Sequence, residues 1–120
     1  MQNNARGFQW YLAELLEEAR ITGEAEHIVY NSLVLIRASS PEEAYKKALQ
    51  RGKEREDNYE DDEGRWVTVA FRGLSDLNLI DGELEDGAEI IYEELEGISD
   101  EELVNLIPPK EQLGVFRVEE

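Results

Sequence analysis

The sequence predicts an α+β fold: an antiparallel sheet of four to five strands with one main helix packed on one face. Three observations carry this. Residues 27–38, HIVYNSLVLIRA, are rich in β-branched residues and too short and poorly periodic for an amphipathic helix. Residues 39–43, SSPEE, carry the signals of a helix start. Three later runs, 65–73, 74–80 and 88–96, read as extended segments between turn residues. The expected order is β-β-α-β-β-β, then a short C-terminal helix.

Residues 7–21, GFQWYLAELLEEARI, are ambiguous on pattern alone. Phe8, Tyr11, Leu12, Leu15, Leu16 and Ala19 recur at helical spacing, while the aromatic residues at 8–11 favour a strand. TGEAE at 22–26 is a polar turn. In 27–38 the apolar residues fall on both faces, Ile28, Tyr30, Val34 and Ile36 against Val29, Leu33 and Leu35. That pattern predicts a central strand covered on at least part of each side.

Ser40 is a good N-cap, Pro41 suits the first helical position, and Glu43 can close a capping box. Ala44, Ala48 and Gly52 form a stripe of small residues that lets a helix lie close on a sheet. Gly52 can end the helix, or the charged run can carry it to about Asn58. Residues 57–64, DNYEDDEG, read as a loop. In 65–73, Val67, Val69 and Phe71 share one face. Asp81-Gly82 and Asp86-Gly87 are turn dipeptides. Ser99 and Glu102 make a second capping box ahead of a helix at 100–106, which stops before Pro108-Pro109. The expected division is one domain over 1–107 and a tail over 108–120. The tail's apolar patch is Leu113, Val115, Phe116 and Val118. It is expected to dock as an added strand in cis, with exchange onto a second copy or use as a peptide for a partner as the alternatives.

Charge is unevenly distributed. Residues 1–53 hold seven Lys or Arg and seven Asp or Glu, whereas 54–120 hold five against twenty-two, which is the entire net charge of −17. Clustered negative charge disfavours nucleic-acid phosphates and anionic lipid as partners and permits a basic partner, a metal cation or a merely solvated acidic surface. There are no cysteines, so disulfides and thiol chemistry are excluded. No apolar run reaches the ~18–20 residues that span a bilayer. The start, MQNNARGFQW, lacks the pattern of a secretion signal. A cytoplasmic protein is the expectation.

The strings WYLAELL, NSLVLIRASSPEEAYKKALQRGKE and DGAEIIYEE, with a Tyr before an acidic loop, resemble a bacterial family known as a domain of unknown function (number 4288) over about residues 9–96. The resemblance implies a small α+β protein and a strand for about 8–18. It attaches no activity, cofactor or catalytic residue to the chain.

The residues themselves offer little chemistry. Carboxylates are so abundant that any acid–base pair can be drawn, which empties the signal. His27 is the single histidine, at a turn-to-strand boundary, and no GxSxG motif accompanies it. One histidine without cysteine makes no transition-metal site. EF-hand spacing fails from both Asp57 and Asp76, leaving only a looser calcium site in 57–63 or 81–86. No metal or cofactor is therefore expected. Trp10, Tyr11, Trp66 and Phe71 are expected in the core, since the basic groove of a stacking platform is missing. The expected function is a non-enzymatic protein-binding module, immunity- or inhibitor-like, facing a basic partner through Asp57, Glu60, Asp61, Asp62 and Glu63. A DNA mimic or an enzyme of unrecognised type is the alternative. Apolar residues on both faces of 27–38 also point to a homodimer, and Leu113, Val115 and Phe116 to a tail interface.

Overall fold

The computed structural model describes residues 7–25 and 27–117. Its body is α+β. Four antiparallel strands, β1 (Gln9–Ile21), β2 (His27–Ala38), β3 (Asp57–Glu60) and β4 (Trp66–Ile80), lie in the order β2-β1-β4-β3. One helix, α1 (Pro41–Glu54), crosses one face. A second, short helix, α2 (Asp100–Asn105), follows in the C-terminal arm.

β1 is a strand, as the resemblance implied, and it is central. It pairs with β2 along its whole length on one side and with β4 on the other. Tyr11, Leu12, Ala13 and Leu15 are all buried. Burial alternates along the strand, with Tyr11, Ala13, Leu15, Glu17 and Ala19 buried, but apolar Leu12 and Leu16 on the less buried face and the acid Glu17 on the buried one blur that period in the sequence and leave a spacing that mimics a helix. β2, expected in the centre, is instead an edge strand. Its Ile28, Val29, Tyr30, Leu33 and Leu35 are exposed, while Ile36 and Ala38 reach the core.

α1 starts as expected. Ser40 Oγ accepts the Glu43 amide at 3.1 Å, an N-cap worth about 1 kcal/mol. The Glu43 carboxylate folds back onto the Ser39 amide and hydroxyl, at 2.6 and 2.8 Å, one residue short of the capping box. The helix passes through Gly52 and ends at Glu54 with Arg55 as C-cap, so it stops before Asn58. Ala44, Ala48 and Gly52 are its buried residues. The Phe71 ring of β4 sits where a side chain on Gly52 would project, so only glycine permits this approach.

The expected segments 65–73 and 74–80 are one strand, β4. Its register with β1 shifts twice, skipping Arg72 and Ser75, with Gly73 at φ +143° between them. Each bulge exchanges the two faces of the strand. Phe71, Leu74 and Leu77 consequently meet the same core at a spacing of three, beside Tyr11, Leu15 and Ile36.

Two further expectations are corrected. Residues 57–60 are not loop; they pair with Trp66–Val69 as β3. Residues 88–96 form no strand: among the described residues no fifth strand joins the sheet. Beyond Ile80 the chain becomes an exposed arm. Its only regular elements among the described residues are α2 and two 3-10 turns, Lys110–Gln112 and Gly114–Phe116. No described helix is long and apolar enough to cross a membrane.

Candidate functional site

The five acidic residues singled out from sequence lie on one hairpin. Asp57 and Glu60 stand on β3 with their side chains exposed, and Asp61, Asp62 and Glu63 form the turn into β4. The turn is built around Asp61. Its Oδ1 accepts the amides of Glu63 and Arg65 at 2.9 and 2.8 Å, and its Oδ2 accepts Arg65 Nε at 2.9 Å. The Asp61 amide in turn donates to the Arg65 carbonyl at 2.8 Å. The Arg65 amide, first among these partners, holds the Asp61 carboxyl below its ordinary range. Asp61 therefore shapes the turn, while Asp57, Glu60, Asp62 and Glu63 present the charge. Arg65 is shared with Glu63 at 3.5 Å and Glu24 at 3.6 Å, which leaves the tip strongly negative.

The arm adds more charge of the same sign. Between Ile80 and Lys110 it holds eleven Asp or Glu and no Lys or Arg. Its acids among the described residues are exposed. Val115 and Phe116 lie in the second 3-10 turn and Leu113 caps it between the two turns, and none of the three pairs with a strand; Lys110 Nζ rests 5.1 Å from the Phe116 ring centre. They are not brought to the acidic hairpin by any described element, and Val118 lies outside the described residues.

Three features were not read from sequence. Glu17 is a buried carboxylate beneath the end of α1. It accepts Arg55 Nε at 2.6 Å, Arg55 Nη2 at 3.2 Å and Ser32 Oγ at 2.7 Å. Arg55 lowers its pKa against the opposing effect of burial. A strand register was needed to bring residues 17, 32 and 55 together. On the face away from α1, Glu18 gathers His27, Arg20 at 2.9 Å and Arg72 at 3.7 Å. The His27 contact chiefly lowers the Glu18 pKa. The same face carries a polar chain across three strands: Asn31 donates to Glu14 at 2.8 Å, and Ser75 donates to Asn31 at 2.8 Å.

Among the described residues every carboxylate with a displaced pKa moves downward. Besides Glu17, Glu18 and Asp61, these are Glu43 and Glu102, held chiefly by the amides of Ser39 and Ser99. Such groups are anchored as anions by caps and ion pairs. Among the described residues no three metal-ligating side chains converge. Two concave places among the described residues are open grooves. One of about 320 Å³ is lined by Phe8, Trp10, Ile80 and Leu84, with Arg37 stacked 5.1 Å from the Phe8 ring. Another of about 380 Å³ separates Asn78–Asp81 from residues 89–92. Trp66 is half exposed on β4 instead of in the core, while Tyr11 is buried as expected.

No curated protein and no solved structure matches the chain. The family model described as "Domain of unknown function (DUF4288)" matches residues 10–92, from the start of β1 through the first part of the arm. With that match covering more than half of its length, the chain belongs to the DUF4288 family.

Proposed function

We propose that this protein is a non-enzymatic binding module that docks a cationic protein partner. The observation that carries the reading is the concentration of exposed negative charge on the β3–β4 hairpin and the arm. Asp57, Glu60, Asp62 and Glu63 are all exposed, and the turn that presents them is fixed by Asp61. A rigid tip lets charge act without first being ordered, which favours fast association. The arm supplies a second, longer acidic stretch that can follow a basic surface.

A cationic protein fits better than nucleic-acid mimicry. A phosphate mimic needs an evenly spaced acidic row on a rigid frame, and most of the arm's acids stand on irregular backbone. The test is charge reversal at Asp57, Glu60, Asp62 and Glu63, all to Lys, with Asp61 retained so that the turn still forms. A partner is first captured from the native cell and purified. Its affinity is then compared for the parent and the reversed chain. The reading expects a loss of at least about tenfold, since like charges across an interface repel. Equal affinity, with circular dichroism showing an intact sheet, removes it.

A further inference from the structure

The two outer edges of this sheet are treated differently by the rest of the molecule. Beyond the short β3, the outer edge of β4 is blunted. The Glu56 carboxylate accepts the Phe71 amide at 3.0 Å, and Asp76 turns its own carboxylate onto the Leu77 amide at 2.9 Å. Bulges at Arg72 and Ser75 twist the same stretch. Bound amides, acidic side chains and bulges are the devices by which edge strands avoid pairing with other chains.

β2, at the other edge, has none of these from His27 to Ile36. It is twelve residues long and holds an unbroken register with β1. Among the described residues no strand pairs with its outer side, and no side chain bonds to its backbone before Arg37, whose carbonyl accepts Lys47. It contains no proline and, in a chain of 29 acids, no Asp or Glu. Five of its apolar side chains are half exposed, Ile28 and Tyr30 on one face and Val29, Leu33 and Leu35 on the other, each 48–56% exposed.

We infer that β2 pairs antiparallel with the β2 of a second copy, joining two sheets into one of eight strands about a two-fold axis. Antiparallel pairing of one strand with itself is self-complementary, as a two-fold interface requires. It also satisfies the outward backbone groups and brings the apolar residues of both faces against their counterparts. The absence of acids matters here. Two chains of net charge −17 repel, and β2 is a line along which they can meet without opposing carboxylates on the pairing strands. Five half-exposed apolar residues offer on the order of 400–500 Å² per copy. That is below the ~800 Å² of a standard interface and fits a reversible dimer of micromolar affinity.

Light scattering behind size exclusion tests this on the full chain. The expected mass rises from 13.8 kDa toward twice that value across the micromolar range. Added salt favours the dimer by screening the repulsion. Leu33→Lys places a charge on the edge and holds the chain at the single-copy mass, while Val115→Lys in the arm leaves association unchanged. If Leu33→Lys does not fold, hydrogen exchange of the parent decides: alternate β2 amides gain protection as concentration rises. A single-copy mass at every concentration overturns the inference. So does a dimer that survives Leu33→Lys, one abolished by Val115→Lys alone, or β2 amides indifferent to concentration.

Discussion

Arg55→Ala tests the ion pair that ties the end of α1 to the centre of the sheet. Arg55 gives Glu17 two hydrogen bonds, at 2.6 and 3.2 Å, and after truncation only Ser32 remains as donor. Stranding one member of a fully buried pair costs about 3–5 kcal/mol. Here the Arg55 side chain is 44% exposed, so water reaches the vacated side and the cost falls to about 1–3 kcal/mol. The pH dependence gives a sharper signature. In the parent, Arg55 lowers the Glu17 pKa on folding. That contribution is present above the unfolded carboxyl pKa and is lost as pH falls through the folded one. Without Arg55 the largest lowering contact is gone and burial, which raises the Glu17 pKa, is opposed only by Ser32, so the variant loses less stability on acidification. The stability gap between parent and variant is therefore largest near neutral pH and narrows toward pH 4. Urea unfolding at a series of pH values measures it. A gap that is absent, or equally wide at both ends, refutes the reasoning.

Other parts of the molecule make independent predictions. Gly52→Ala improves helix propensity by about 1 kcal/mol yet drives a methyl into the Phe71 ring, so a net loss of about 1–2 kcal/mol is expected by chemical denaturation. A gain in stability would show that α1 does not lie this close to β4. Ser40→Ala removes the N-cap and lowers stability by about 1 kcal/mol, read as a shift in urea midpoint without change in slope. Asp61→Ala loosens the hairpin turn, and amide exchange should quicken at Glu63 and Arg65 while the β1–β2 ladder keeps its protection. Ending the chain after Gly97 removes α2 and the 3-10 turns, in which no described residue is buried, so the thermal midpoint should stay within a degree or two.

Local chemistry was legible in the sequence, and the placing of elements was not. The cap at Ser40, the stripe of Ala44, Ala48 and Gly52 and the capping box of Ser99 with Glu102 depend on neighbours three or four residues apart, and they stand where the residues put them. β1 needed more than pattern, because apolar Leu12 and Leu16 on its less buried face and Glu17 on its buried face hide the strand period. β2 shows the converse: apolar residues on both faces marked an uncovered edge in place of a buried centre, since composition records what a strand can bury and not what covers it. Asp57–Glu60 is a strand only through its pairing with Trp66–Val69, which its polar residues do not announce. Residues 88–96 alternate like a strand and have no partner. At the hairpin, the acidic residues were visible as a cluster, but the separation of Asp61 from its neighbours rests on its bonds to Arg65.

The association rate with the purified cationic partner, followed by stopped flow as ionic strength is raised, tests the docking of the acidic hairpin and arm most directly. Electrostatic steering predicts a fall in that rate of at least about tenfold between low and physiological salt, with a much smaller change in dissociation. A rate that does not respond to salt would contradict the account.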